Sequence, residues 1–521
     1  MSRRESGVRH AMKIIELAAV VAVAAGALAA GASGAGAAAA AGATMAAGPA
    51  ARTAHPAAQA AAGAKHGGWG NAREVPGTAA LNTAGGAGVQ QVSCGSAGNC
   101  VAAGLYLVAP EHPHPFVSEQ KNGIWGKAHA IPGIAALSGG RGAAADFASC
   151  PSTGNCTVAG SYTDASGNLQ WFAADEQNGA WQHALAIPGL AKLATAFGTT
   201  VNSLSCASAG NCAVAGFYRT SDGGEHAFVA DEKNATWQRA MEVPGIRALN
   251  PDGDAQAESV SCATAGNCTV AGLYHDQATN NPHAFVADES GGTWGQAHVI
   301  PGEDTLGPTE ATAVSCSSAG NCGVTGNYTD TVGNQQVFVA DETSGTWGQA
   351  QPLPGLEALS ASGHAEAAAI SCRAPGNCAT GGTFSGVSDG GAITESYVAD
   401  ERQGGWDLAV QVFGGRTAFN GSNLTTLGSV SCGSAGNCAA AGSFADPFHG
   451  FSVYVVNEVN GSWGNAIRLP GIVALDQGLK SDVFSISCPS PGNCAAGGAY
   501  TDANGHVQAF VANQSVAAGA S

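Results

Sequence analysis

Sixteen cysteines, set in eight identical spacings, constrain this chain more than any other feature. They fall as Cys94/Cys100, Cys150/Cys156, Cys206/Cys212, Cys262/Cys268, Cys316/Cys322, Cys372/Cys378, Cys432/Cys438 and Cys488/Cys494. Five residues lie inside each pair, and the text there is nearly constant, from CGSAGNC through CASAGNC to CPSPGNC. Successive first cysteines stand 56, 56, 56, 54, 56, 60 and 56 residues apart. A fixed period of this length marks an array in which one supersecondary unit recurs and buries its faces against its neighbours.

Each period reads as four short strands. The first is a segment such as Ser259-Val260-Ser261-Cys262, and a Gly-Asn turn leads into the second, as in Cys268 to Tyr274. A polar hairpin leads to the third, as in Ala227 to Glu232. A second tight turn, often Asn-Gly or Gly-Gly, leads to a fourth that opens with Trp and closes at Pro-Gly. Such turns between apolar runs are strong hairpin signals. Small and apolar residues on both strand faces suit sheets covered on both sides. Charged residues are only 11% and glycines number 76, which excludes a coiled coil and favours turn-dense β structure.

The phase of the repeat predicts a closed ring. Trp segments begin at Trp69, Trp125, Trp181, Trp237, Trp294, Trp347, Trp406 and Trp463. The array therefore starts on a fourth strand and stops after Phe510-Val511-Ala512, a third strand. In a ring, Trp69–Pro76 completes the unit holding Cys488 and Cys494, and no end blade is left exposed. The expectation is an all-β fold: an eight-bladed β-propeller of four-stranded antiparallel blades, closed by its N-terminal strand.

The cysteine spacing sets each pair on adjacent strands of one hairpin, within disulfide reach. Zinc is the alternative, but thiolate sites use closer pairs and four ligands, which two cysteines per repeat do not supply. Arg3, Arg4, Arg9 and Lys13 precede an apolar run from Leu17 to about Ala30, the layout of an export signal. An uncleaved membrane anchor is the other reading of that run. Residues 1–37 are taken as the signal, 38–67 as an Ala/Gly-rich linker, 68–516 as the propeller and 517–521 as a disordered tail. Export to an oxidising compartment fits eight disulfides with no cysteine left over.

Residues 1–68 hold six of the twenty basic and two of the thirty-eight acidic side chains, leaving a body of fourteen against thirty-six. That charge repels phosphate backbones, so nucleic acid and anionic membranes are poor partners. The expected partner is an extracellular glycan, protein or small molecule, bound by a monomer without cofactor or resident metal.

The hairpin Phe285-Val286-Ala287-Asp288-Glu289-Ser290-Gly291-Gly292-Thr293-Trp294 resembles the Asp-box hairpin of sialidase-type propellers, with Glu289 where the box has Asp. The SC-x5-C-x-A-x-G repeat resembles that of secreted actinobacterial propeller proteins across residues 69–514. These resemblances imply the fold and export, and they carry no catalytic residues to this chain.

Function is expected on the face that carries the variable connections, such as Gly139–Asp146, Asn250–Glu258, Glu303–Glu310 and Gly415–Thr426. Four groups stand there as candidates. One is a polar column, His114, Gln170, His226, His283, Gln336, Glu395, Ser452 and Gln508, read as strand-edge hydrogen bonding rather than a metal set. Another is Asp252 and Asp254 with Glu258, which has Ca²⁺-type oxygens or is simply a solvated acidic loop. Asp164, Asp330 and Asp502 are read as turn formers. The last is Arg141, Arg219, Arg247, Arg373 and Arg416, which lie outside the repeat register, with Arg373 in a cysteine turn on the opposite, uniform face. Three arginines converging on a carboxylate would mark a sialidase-like site. The leading expectation is a binding scaffold, with an axial carbohydrate-active hydrolase or lyase and a passive envelope protein as alternatives.

Overall fold

The computed structural model describes residues 68–515, apart from 195–197, 222, 252, 361–362, 389–390, 413–423 and 449. Asp252, Arg416 and the segments expected to be export signal, linker and C-terminal tail lie outside the described residues. What is described is a β-propeller of repeated four-stranded antiparallel sheets. In the repeat around Cys262, the strands Ala255–Thr264, Asn267–His275 and Pro282–Ser290 run in chain order from the innermost position outward. The outermost strand comes as two short pieces, Thr293–Trp294 and His298–Val299, both paired to the third. The other repeats follow the same order, and a single bridge between Gln335 and His364 joins two of them into one ten-stranded sheet.

The first and last repeats meet through backbone pairing. Trp69 pairs with Gln514, and Arg73 and Glu74 pair with Val511 and Phe510. Gly70 N donates to Asn513 O at 2.8 Å and Val75 N to Ala509 O at 2.9 Å. The sheet Trp69-to-Cys488 is thus built from both ends of the described chain.

All sixteen cysteines are paired within their own repeats. Cys94 joins Cys100, Cys150 joins Cys156, Cys206 joins Cys212 and Cys262 joins Cys268, with Cα–Cα distances of 3.9, 4.1, 3.9 and 3.9 Å. Cys316 joins Cys322, Cys372 joins Cys378, Cys432 joins Cys438 and Cys488 joins Cys494, at 3.9, 4.0, 3.8 and 4.1 Å. In six repeats the two cysteines are register partners directly across the first hairpin. At Cys150/Cys156 and Cys488/Cys494 the ladder skips the cysteines, although both disulfides form as expected. Both of those repeats carry a proline after the first cysteine, Pro151 and Pro489, which removes a backbone N–H at the turn.

The turn between the cysteines needs glycine. Gly98 has φ of 69°, and a Cβ there would come within 2.8 Å of Gly123 N. The glycine of C-x-A-x-G has a steric reason as well, since a Cβ on Gly104 would lie 2.0 Å from Gly88 O. The Asn of each Gly-Asn turn ties two turns together. Asn99 Oδ1 accepts from Asn122 N at 3.2 Å, placing the cysteine turn and the Asp-Glu turn on one face.

The serine before each first cysteine binds the repeats side by side. Cys150 N donates to Ser93 Oγ at 2.9 Å, Cys206 N to Ser149 Oγ at 3.0 Å, and Cys262 N to Ser205 Oγ at 2.9 Å. The series continues through Cys316, Cys372, Cys432 and Cys488, and Cys94 N donates to Ser487 Oγ at 3.1 Å. Between sheets the core is apolar, with Phe285, Ala287, Val270 and Trp294 of one repeat packed on Ala213, Val229, Val243 and Ile246 of the preceding one.

Two expectations about the connections are corrected. The segments after Pro-Gly are more uniform than loops. Most open with a single helical turn, as in Thr78–Leu81, Leu190–Leu193 and Ile472–Leu475. Each such turn follows a left-handed glycine and buries its first residue. Four residues are too few to show a helical period, so the sequence reads as irregular there. Likewise, 139–146 and 250–258 are only partly loop, because inner strands start at Ala143 and Ala255.

Candidate functional site

Every innermost strand carries a β-bulge at the same register, three or four residues before its serine-cysteine pair. The interruptions fall between Val89 and Gln91, Ala145 and Phe147, Val201 and Ser203, and Ala257 and Ser259. They recur between Ala311 and Ala313, Ala367 and Ala369, Leu427 and Ser429, and Val483 and Ser485. A bulge inserts one residue that pairs with nothing and re-aims its side chain. The eight bulged residues are Gln90, Asp146, Asn202, Glu258, Thr312, Ala368, Gly428 and Phe484. The Ser-Cys pair that follows is invariant, whereas the bulged position carries a different residue in every repeat. Five consecutive repeats supply hydrogen-bonding side chains there, and the last three supply Ala, Gly and Phe.

The polar arc is linked across repeats. Asn202 Nδ2 donates to Ala257 O at 3.0 Å and to Glu258 Oε2 at 3.4 Å. Asp146 Oδ2 accepts from Ser161 N and Ser161 Oγ of the neighbouring strand at 3.0 and 3.1 Å. Gln90 Nε2 is buried without a hydrogen-bond partner. Burial pushes the Asp146 carboxyl up to about 6. Burial, then Glu310 and Glu225, push Glu258 up to about 7. Both acids therefore change charge near neutrality, where a carboxyl can exchange protons with a bound group.

The candidates expected from sequence are distributed differently. Arg247 is exposed and held by Glu242, with Nε 2.6 Å from Oε2, and Arg219 is held by Glu225 at 2.6 Å. Arg373 lies on the cysteine-turn face and donates to the carbonyls of Cys432 and Cys488 at 2.6 and 3.1 Å. Arg141 sits in an exposed turn, its N–H bonded to Ser138 O. The described arginines are thus tied up separately. Asp254 lies 3.6 Å from His275 Nδ1. In the polar column, His226 and His283 stack on Tyr218 and Tyr274 at 5.1 and 5.4 Å. Gln508 Nε2 bonds Asp502 Oδ2 at 3.1 Å, and Gln336 Nε2 bonds Ser360 Oγ at 3.0 Å. Asp164, Asp330 and Asp502 each accept from backbone N–H groups two and four residues on.

The cysteines belong to the fold and not to this site. The second member of each pair, Cys100, Cys156, Cys212, Cys268, Cys322, Cys378, Cys438 or Cys494, is buried among apolar side chains. Their sulfurs also reach beyond the hairpin that the spacing predicts. Cys212 Sγ lies 3.3 Å from the Thr157 hydroxyl of the preceding repeat, and Cys322 Sγ stands 3.3 Å from that of Thr269. The disulfides thus line the seams between sheets as well as stapling turns.

The acidic hairpin that resembles an Asp-box has a different task here. Its Asp accepts the indole N–H of the next repeat's tryptophan, as in Trp347 Nε1 to Asp288 Oδ2 at 3.1 Å and Trp463 Nε1 to Asp400 Oδ1 at 3.0 Å.

By sequence, no protein-family profile and no curated protein matches the chain. Solved structures with a similar chain path include the β-propeller domain of the Trilobed protease from Pyrococcus furiosus. It covers 72% of this chain and 95% of its own length, at 7% identity and a TM-score of 0.41. A polysaccharide lyase of family PL25, an ulvan lyase bound to a GlcA-Rha3S saccharide, covers 70% and 90% at 11% identity and a TM-score of 0.40. YCF48 bound to D1 peptide covers 75% and 94% at 11% identity and a TM-score of 0.40.

Proposed function

We propose that this chain is an exported, eight-bladed propeller closed by its own N-terminal strand, and that it binds a small hydroxyl-rich ligand at its axis. The ring reading is supported by the Trp69–Gln514 pairing and by the serine bonds that link Cys94 to Ser487. Export is supported by eight disulfides, which persist in oxidising compartments. The observation that carries the binding reading is the row of eight bulges. On a repeated scaffold, uniform positions such as the Ser-Cys pair hold the fold, and the bulged position, which leaves the ladder and carries a different residue in each repeat, is free for recognition. Gln90, Asp146, Asn202, Glu258 and Thr312 offer both donors and acceptors for hydroxyls. Phe484 offers a ring for the apolar face of a saccharide. The net negative body favours neutral or cationic glycans over anionic ones.

A glycan array probed with the purified full chain, followed by calorimetry on the hits, tests this reading. The double variant Asn202→Ala/Glu258→Ala is expected to weaken binding by about tenfold or more, since each lost buried hydrogen bond costs roughly 1 kcal/mol. Unchanged affinity in that variant would remove the site from the axis.

A second reading, an axial carbohydrate-active hydrolase or lyase, is favoured by one observation. Asp146 and Glu258 are carboxyls poised near neutrality, as general acids and bases are. It predicts slow cleavage of the bound glycan that Glu258→Gln abolishes while binding persists. Glycan hits that stay intact on long incubation count against it.

A further inference from the structure

A second set of acidic groups lies in the seams between repeats, away from the axial row. In every repeat the residue paired across the hairpin with the outer-strand tryptophan is Glu or Gln. These are Gln120, Glu176, Glu232, Glu289, Glu342, Glu401, Glu458 and Gln514. All eight are buried, with exposures from 2% to 6%. Beside each stands the residue of the preceding repeat that sits at the indole-acceptor position.

The two positions are matched. Where the acceptor is Asn457 or Asn513, the hairpin partner of the same tryptophan is Gln514 or Gln120. Where the acceptor position holds an acid, the partner is Glu. The acid pairs are Glu119/Glu176, Asp175/Glu232, Asp231/Glu289, Asp288/Glu342, Asp341/Glu401 and Asp400/Glu458. Acids match acids and amides match amides in every seam.

Two facing carboxylates cannot both stay ionised in so dry a place. Three pairs have a cation at hand. Lys233 lies 3.4 Å from Asp231 and 3.2 Å from Glu289, Arg402 lies 3.1 Å from Asp400, and Lys121 and His129 face Glu119/Glu176. Among the described residues, the other three have none. Asp175 accepts from the Thr157 hydroxyl, Asp288 from the Thr269 hydroxyl and the Trp347 indole, and Asp341 from the Trp406 indole. The sulfur of Cys378, already in its disulfide, lies within 4.8 Å of the Asp341 and Glu401 oxygens. In these three seams both oxygens of Glu232 and one each of Glu342 and Glu401 find no hydrogen-bond donor.

We propose that Asp175/Glu232, Asp288/Glu342 and Asp341/Glu401 each share one proton, held on the glutamate and donated to the facing aspartate. That proton restores the hydrogen bond which the amide N–H of Gln120 and Gln514 can make in the two amide seams. It also explains why the substitutions come in matched pairs, because an amide facing an acid would alter the count of donors and acceptors. A bound cation explains the pattern less well, since an indole N–H already points at Asp288 and at Asp341. The seam is then closed in the acid form and strained in the ionised form, which makes blade cohesion pH-dependent. Burial and the facing carboxylate push Glu232 and Glu401 up to about 8, and Glu342 up to about 7. A carboxyl raised on folding stabilises the fold below its ordinary range, and that contribution is lost as pH climbs through about 7 to 8.

Thermal unfolding of the full chain between pH 5 and pH 9 tests this directly. The midpoint is expected to fall by about 5 °C or more across that interval. The triple variant Glu232→Gln/Glu342→Gln/Glu401→Gln should lose most of that slope and exceed the native chain at pH 9. A native midpoint that is flat with pH, or an equal slope in the variant, overturns the proposal. Should the variant fail to fold, infrared spectroscopy of the native chain decides. A protonated-carboxyl band is expected at pH 6 that disappears by pH 9, and its absence at pH 6 overturns the shared proton. If calcium raises the midpoint of the native chain at pH 8, the pairs belong to a cation and the proposal fails.

Discussion

A chain that begins at Gly77 is expected to be far less stable than one that begins at Gly68, although the two differ by nine residues. Those residues include Trp69, Ala72 and Val75, all buried at 7% exposure or less. They also carry the bonds Gly70 N to Asn513 O and Val75 N to Ala509 O, and the 3.2 Å bond from Trp69 Nε1 to Asn457 Oδ1. Losing the Trp and Val side chains alone costs about 5 kcal/mol. The strand Val507–Ser515 would then present an unpaired apolar edge, so aggregation on heating should accompany the fall in midpoint. Scanning calorimetry and light scattering of the two chains give the answer. Equal midpoints would show that the N-terminal segment does not close the ring.

Full reduction and alkylation should lower the midpoint by on the order of 10 °C or more. Each pair closes a loop of seven residues, which in the chain-entropy description is worth roughly 2–2.5 kcal/mol, without strict additivity over eight. Mass mapping without reduction should return only links within the C-x5-C pairs. A link between repeats, or a midpoint indifferent to reduction, would contradict the stapled-hairpin account.

Much of the architecture is local, and local features are written in the sequence. The C-x5-C spacing puts two cysteines opposite each other on a hairpin whatever surrounds it, and Cys262 and Cys268 are register partners as expected. The four-strand period follows from turn chemistry at Gly-Asn and Asn-Gly. The roles of Asp164, Asp330 and Asp502 as turn formers follow from their own backbone. The one-turn helices after Pro-Gly were not legible, because four residues carry no period.

The contacts in the seams and the bulges of the inner strands were decided only by tertiary structure. Ser93 stands at a constant position of the repeat, and Asp288 and Glu342 at positions that hold only acids or amides, and such restriction says that each matters without saying what it touches. Their partners, Cys150 N and Trp347 Nε1 among them, lie about one repeat away, at 57 and 59 residues. Which constant residue meets which depends on how neighbouring sheets stack. The bulged row escaped for the opposite reason. Gln90, Asp146, Asn202, Glu258, Thr312, Ala368, Gly428 and Phe484 share no residue type, so the row does not read as a set, and Glu258 alone stands out, as part of an acidic loop. Aligned on the cysteines, the eight form one variable column among others ahead of the invariant Ser-Cys pair. Only the bulge, which breaks the two-residue alternation of a strand, shows that this column leaves the ladder.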